Sequence, residues 1–488
     1  MSTRSNGPAA CLVLACVGCV GTPSVSGLPG VAPSSSAAWT PPREIRVRDS
    51  VAARPSVPAD LEQRIRRLTL AEVVDLGLRN NPTTRLSWAN ARAAAAAYGS
   101  ARGAYLPTID GDVTATRLKT VASQGRSAVS QSVLSPSLSL TYLLFDFGGR
   151  SGTIGAARNA LVAADFTHNA TLQNVVLQIQ AAYFQYIANR ALLQAQRITV
   201  REAQTNLEAA EERHRVGVAT IADVLQARTA ASQAELAAQA TEGDLQTSRG
   251  ALALSLGLPA NLPYDIDSTA AQAPVAVLAD SVDVLIARAV AARPDLAAAR
   301  AEYEASRAQI SVARASRLPS LELNGTGGRT YTSSLPQGGN NYTLSLGLRI
   351  PLFAGFSRIY DQRQAAALAD AAAARTDALS QQVVFQVFSS YYALRTADRR
   401  VRTSEDLMAS AQLSNDVALG MYKAGVGSVL DLLTAQSALA DARAQQVMAR
   451  LAWNTSLAQL ARDAGILDEQ GGSSLRLQPD SASQTPPR

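Results

Sequence analysis

Two histidines, His168 and His214, and three cysteines, Cys11, Cys16 and Cys19, are all the imidazoles and thiols in 488 residues. Nucleophilic, acid–base or metal chemistry needs several such groups to converge. The histidines fall on or near one long helical stretch, and neither has a cysteine or a pair of acids at a useful spacing. Gly148-Gly149 lacks the Lys-Ser or Lys-Thr that completes a phosphate loop. All three cysteines lie in the first twenty residues, so the remainder can form neither a disulfide framework nor a thiolate metal site. No enzyme activity and no cofactor is expected. Two aspartates, Asp223 and Asp431, each stand six positions after a glycine, Gly217 or Gly425. An acid near a helix start is favoured by the dipole, and its chemistry is that of a fixed charge.

The elements that position these groups are long helices. Apolar residues make up 47% of the chain but aromatics only 5%, and alanine runs in tracts such as Ala93 to Ala97 and Ala371 to Ala374. Alanine is the best helix former yet buries little area, which suits close-packed long helices better than a thick globular core. The net charge of +6 comes from arginines scattered among acids. That pattern argues against nucleic-acid binding.

At the N-terminus, Arg4 precedes an apolar stretch from Ala9 to Val20, long enough for a signal segment and too short to span a bilayer. Residues 1–19 are read as a signal peptide. Val13-Leu14-Ala15-Cys16 resembles a bacterial lipoprotein processing site, which implies lipidation of Cys16, with Cys19 as the alternative. Ordinary cleavage beside incidental cysteines is the plainer reading. No later segment has the apolar run of a membrane helix, so any span must be a β-barrel.

Residues 20–66 are expected to be extended, 67–265 to form a first repeat, 266–279 a linker, 280–467 a second repeat, and 468–488 a disordered tail. The duplication is visible by sliding the halves together. Asn81-Pro82 and Leu106-Pro107 recur as Arg293-Pro294 and Leu318-Pro319, 212 positions on; Leu144-Phe145, Tyr183, Gly217 and Asp223 recur as Leu352-Phe353, Tyr391, Gly425 and Asp431, 208 on. Each unit reads as helix, strand, loop, strand, long helix, turn, helix. The long helices are expected over Thr153 to Arg213 and Ser357 to Ala424, and the shorter ones over segments such as Thr69 to Ala104 and Thr220 to Leu256.

Leu138, Leu140, Tyr142 and Leu144 alternate with Ser137, Ser139 and Thr141, and Leu344, Leu346, Leu348, Ile350 and Leu352 alternate with Thr343, Ser345, Gly347 and Arg349. Period-two alternation makes a two-faced strand. The partner strands, Thr108 to Thr116 and Ser320 to Thr326, alternate less. In a membrane barrel the leucines face lipid and Arg349 the hydrated lumen. Tyr142, Phe145, Phe147, Phe353 and Phe356 fall at the hairpin bases, where an interfacial aromatic belt is expected. Four strands cannot close a barrel in lipid, so the chain must oligomerise, and a trimer pools twelve.

The Leu-Phe-Asp-Phe-Gly-Gly-Arg motif (Leu144 to Arg150), Pro-Leu-Phe-Ala-Gly (Pro351 to Gly355) and two tip motifs, Arg213 to Leu225 and Met421 to Leu433, together resemble the TolC family of outer-membrane factors over about residues 68 to 465. The resemblance implies a mainly α fold with a small β part: a long antiparallel helical barrel in the periplasm and a trimer-shared twelve-stranded barrel in the outer membrane. It implies an exit duct for tripartite efflux or type I secretion, working with a periplasmic adaptor and an inner-membrane pump. Val216, Gly217, Val218, Ala424, Gly425 and Val426 would be the adaptor-docking tip. Asp431, with Asp223 beside it, would contribute to a ring of carboxylates at the closed entrance, and Tyr422 to the contacts that hold it shut. The chain departs from the family pattern at Thr434, where a second acid is expected, and at Gly427, where a basic gating residue can occur. A non-channel periplasmic coiled-coil or adaptor protein is the rival reading, although no lipoyl-like segment is visible.

Overall fold

The computed structural model describes residues 68–119, 130–261, 266, 276–278, 280–333, 335–467 and 477–479. The chain divides into two units, residues 1–63 and 64–488, and everything below concerns the second. Cys16 and Cys19 lie outside the described residues.

Each repeat opens with two helices rather than one. In the first, α1 (Leu70–Asn80) and α2 (Pro82–Arg102) are separated at Asn81; in the second, α5 (Val282–Ala292) and α6 (Pro294–Ala315) are separated at Arg293. The expected single helix over Thr69 to Ala104 is thus corrected. Proline supplies no N–H and pushes the preceding residue out of the helical region, and Asn81 (ψ 126°) and Arg293 (ψ 124°) are both extended.

The hairpins follow as β1 (Thr108–Lys119) with β2 (Ser130–Phe145), and β4 (Ser320–Thr332) with β5 (Leu335–Arg349). The long helices α3 (Gly149–Arg215) and α7 (Ser357–Lys423) have 67 residues each, about 100 Å at 1.5 Å per residue. The tip helices α4 (Ile221–Ser255) and α8 (Val429–Asp463) have 35 each. Before each long helix the backbone takes two left-handed residues in succession, Phe147-Gly148 and Gly355-Phe356. The conformation is duplicated although the order of phenylalanine and glycine is reversed.

Along one half of their length α3 and α7 alternate with α2 and α6, in the order α2, α3, α6, α7; along the other half they alternate with α4 and α8, in the order α4, α3, α8, α7. Every level therefore holds four helices. Alanine allows the close approach: Ala203, Ala231 and Ala234 pack together between α3 and α4, and their duplicates Ala411, Leu439 and Ala442 between α7 and α8.

The two repeats are closed at equivalent joints. Asn81 Nδ2 donates to the carbonyl of Ser255 at 2.9 Å, and Arg293 Nη1 to that of Asp463 at 3.4 Å. Both acceptors are the last residue of a tip helix. The first joint is neutral and the second is charged: Arg293 also bonds Gln386 at 2.7 Å and Asp295 at 3.0 Å, and Arg462 pairs with Asp463 at 3.1 Å.

One difference from expectation lies between the repeats. The segment read as linker contributes β3 (Ala276–Leu278), and the tail read as disordered contributes β6 (Leu477–Pro479), which pair antiparallel. Three-residue strands are too short to show a period, so composition alone could not reveal them.

Candidate functional site: the sheet faces and the helix tips

The four long strands form one antiparallel sheet in the order β1-β2-β4-β5. Residues directly opposite in a ladder share a face. Ile109, Leu140, Gly325 and Leu344 lie on one rung, and Tyr142, Leu323 and Leu346 on another of the same face. The other face carries Asp110, Ser139, Thr326 and Thr343, the rung Thr108, Thr141, Asn324 and Ser345, and Arg349 opposite Ser320. The alternation of β2 ends at a register shift between Leu143 and Phe145, so Leu144 leaves the expected phase.

Leu138, Leu344, Leu346 and Leu348 are all more than half exposed. Leaving such side chains in water forfeits roughly 1.5–3 kcal/mol each, and an antiparallel sheet normally packs its apolar face against a core. β1 and β5 are also open edges, a liability soluble proteins cover or charge. A face that wants an apolar solvent, with edges that want further strands, is one segment of a membrane barrel. At its base Phe145 packs edge-on against Phe147 (4.7 Å) and Phe353 against Phe356 (5.5 Å), with the four rings at least half exposed, while Tyr142 is half-buried.

At the opposite end each long helix reverses into a tip helix by the same device. Gly217 (φ 80°) and Gly425 (φ 76°) take the left-handed position that glycine tolerates. Val218 N–H donates to Arg213 and Gly217 N–H to His214; Val426 N–H donates to Met421 and Gly425 N–H to Tyr422. Thr220 and Ser428 then cap the tip helices, each in a reciprocal capping box with Asp223 or Asp431. The Asp431 carboxylate accepts from Ser428 Oγ at 2.7 Å and from its backbone N–H at 3.3 Å, and the hydroxyl, then the amide, hold it below the usual carboxylate range.

Val216, Val218 and Val426 are exposed at 56%, 64% and 73%, with Ala424 and Gly425 exposed beside them. Thr434 is exposed, and its hydroxyl returns to the carbonyl of Leu430 at 2.8 Å. With Leu225, Thr229, Leu430 and Leu433 it lines a groove between α4 and α8. A Cβ at Gly427 would stand 2.9 Å from that of Met421, so a larger side chain there requires the turn to shift.

Tyr422 is buried, and its partner is Arg213, whose guanidinium lies 4.5 Å from the ring centroid and donates to the Tyr422 carbonyl at 2.9 Å. The phenol oxygen has no hydrogen-bond partner among the described residues. Two further polar links join the repeats above this contact: Asn206 to Gln436 at 2.7 Å, and Arg443 to both oxygens of Glu202 at 2.9 and 3.1 Å. Sequence reading missed Arg213, Glu202 and Arg443, because each pairs with a residue of the other repeat. Arg213 did stand inside the quoted tip motif.

No described helix is long and apolar enough to cross a membrane. The chain matches the model of the outer membrane efflux protein family over residues 73–258 and 285–465. Protein CyaE of Bordetella pertussis is 29% identical over 440 residues, 87% of this chain and 92% of that protein. Outer membrane protein TolC of Vibrio cholerae is 25% identical, covering 82% of this chain and 91% of that one. A solved membrane protein from Pseudomonas aeruginosa superposes with a TM-score of 0.74 at 25% identity, covering 81% of this chain and 93% of its own.

Proposed function

The chain belongs to the outer membrane efflux protein family, and from that premise we infer which of its parts form the duct, the gate and the docking end. It is an outer-membrane channel of the TolC type, a passive exit duct of the kind used in tripartite efflux and type I secretion, with its helical barrel in the periplasm. Channels of this family are trimers that work within tripartite assemblies. Three copies of a four-stranded sheet and of a four-helix level make a twelve-stranded barrel above a twelve-helix tunnel, so wall number is conserved from membrane to tip. The observation that carries this assignment is the sheet with one uncovered leucine face, one polar face and two open edges.

The gate is the convergence of α3, α7 and α8 near the tip. Arg213 holds Tyr422, with Asn206–Gln436 and Glu202–Arg443 as further rungs between the repeats. Asp431, with Asp223 beside it, supplies a threefold ring of carboxylates, which raises local cation concentration and repels anions. Thr434 leaves that ring with one acid fewer than the family pattern. Val216, Gly217, Val218, Ala424, Gly425 and Val426 dock a periplasmic adaptor, which connects the duct to an inner-membrane pump; their exposure supports this. Arg349 faces the barrel lumen, and Cys16, or else Cys19, carries a lipid anchor in the outer membrane.

Reconstitution into planar bilayers tests the assignment. The protein should form channels that prefer cations, and Asp431→Asn should move the reversal potential in a salt gradient toward zero. A purified trimer that conducts no ions under any condition, including after Arg213→Ala, would sink it.

A further inference from the structure

The open edges of the sheet carry opposite charges on their polar faces. Within its described length, β1 places Asp110 and Asp112 there and no cation; β5 places Arg349 there and no acid. Among the described residues none of the three forms an ion pair inside its own chain, and all three are exposed. Arg349 is the last residue of β5, just before Pro351, and Thr108 the first of β1, just after Pro107, so both mark the same rim of the sheet.

The ladder fixes where these edges meet. The rung through Thr108 crosses Thr141 and Asn324 and reaches β5 at Ser345, four residues before Arg349. The whole slope arises where β2 meets β4: Thr108 pairs with Thr141, and their duplicates Ser320 and Arg349 pair likewise, whereas Thr141 meets Asn324, four residues into β4, a stagger of the kind tilted barrel strands require. The seam between copies joins a second hairpin to a first as β2–β4 joins a first to a second, so the duplicate of the Thr141–Asn324 rung, 208 positions on and 212 back, sets Arg349 of one copy opposite Asp112 of the next. Opposed residues share a face, and Arg349 and Asp112 are both on the polar one, with Asp110 the next acid on that face.

We propose that Arg349 of one copy pairs with Asp112 of the neighbouring copy across the β5–β1 seam, giving three inter-subunit ion pairs that set the register of barrel closure. The proposal rests on the trimeric barrel reading above. Its value is in register, since an exposed pair contributes at most about 1 kcal/mol. A slip of one residue would turn every leucine into the lumen and is excluded by patterning. A slip of two keeps every leucine toward lipid, and only a specific cross-seam contact distinguishes it.

Disulfide trapping in the full-length protein in membranes is the test. Arg349→Cys is combined in turn with Thr108→Cys, Asp110→Cys and Asp112→Cys, and oxidised chains are separated on a denaturing gel beside each single variant. The Asp112 combination should give the most covalent dimer and trimer, and the single variants none beyond the parent. A trimer that forms but cross-links best at 108 or 110, or at none of the three, overturns the pairing while leaving the trimer intact. Absence of any trimer in the parent protein overturns both. A charge exchange provides the second readout: Asp112→Arg should lower the temperature at which trimers dissociate in SDS, and Asp112→Arg/Arg349→Asp should recover most of that loss. A double variant no better than the two singles combined contradicts the ion pair.

Discussion

At the Asp431 carboxylate, observed helix capping and the proposed channel electrostatics meet in one side chain. Its bonds to Ser428 stabilise the start of α8 and favour its ionised form, and in the proposed gate the same charge faces the entrance. The two roles separate by substitution. Ser428→Ala should cost about 1 kcal/mol in thermal stability and leave ion preference unchanged; Asp431→Asn should reduce cation preference with a smaller stability loss. If both variants alter reversal potential alike, the carboxylate is only a cap. Tyr422 divides in the same way. Its hydroxyl has no partner among the described residues, so Tyr422→Phe should leave the resting conductance as it is, whereas Arg213→Ala removes the stacked cation and should raise it. The tip turns and the two aspartates that cap the helices after them were legible in the sequence, because the motif occurs twice. Arg213 as a partner was not, because only the fold brings α3 beside α7 and α8.

Among the elements, the pre-proline joints differ most between repeats. Asn81→Ala should cost on the order of 1 kcal/mol, as a lost cap, while Arg293→Ala leaves Asp295 and the buried Asp463 to Arg462 and should cost more, roughly 1.5–3 kcal/mol. Burial pushes the Asp295 carboxyl up, but the hydrogen bond from Arg293 and the charges of Arg293 and Arg462 outweigh it, so it titrates below its ordinary range. A depressed carboxylate contributes stability that is complete above its unfolded pKa, near ~3.9, and lost as pH falls through the lower folded value. Thermal midpoints should therefore decline on acidification below about pH 4, and less steeply in Asp295→Asn. Equal slopes would contradict this assignment. The α7/α8 pair has a flaw its duplicate lacks. Buried Asn415, whose Oδ1 has no partner among the described residues, stands where the first repeat has Leu207. Asn415→Leu should raise the thermal midpoint, by about 1–3 kcal/mol in stability. The prolines that split α1 from α2 and α5 from α6 were plain in the sequence, yet the segment around Asn81 still read as one helix. The strand alternation gave β2 and β5 clearly, whereas β1 and β4 proved longer than their weaker alternation implied.

For the whole molecule, one chain describes a wedge of a larger wall: four strands with two open edges, and four helices at each level. A duplication with short helices stacked beside long ones was readable from spacing alone. The order in which they alternate was not, since nothing local distinguishes α6 beside α3 from any other neighbour. The need for other copies was readable, because lipid admits no unpaired strand edge. The most direct test is the mass of the detergent-extracted outer-membrane protein by light scattering, with bound detergent subtracted. Three chain masses are expected, in a particle that dissociates only on denaturation. A stable particle of one chain mass would leave both sheet edges unpaired and contradict the shared barrel.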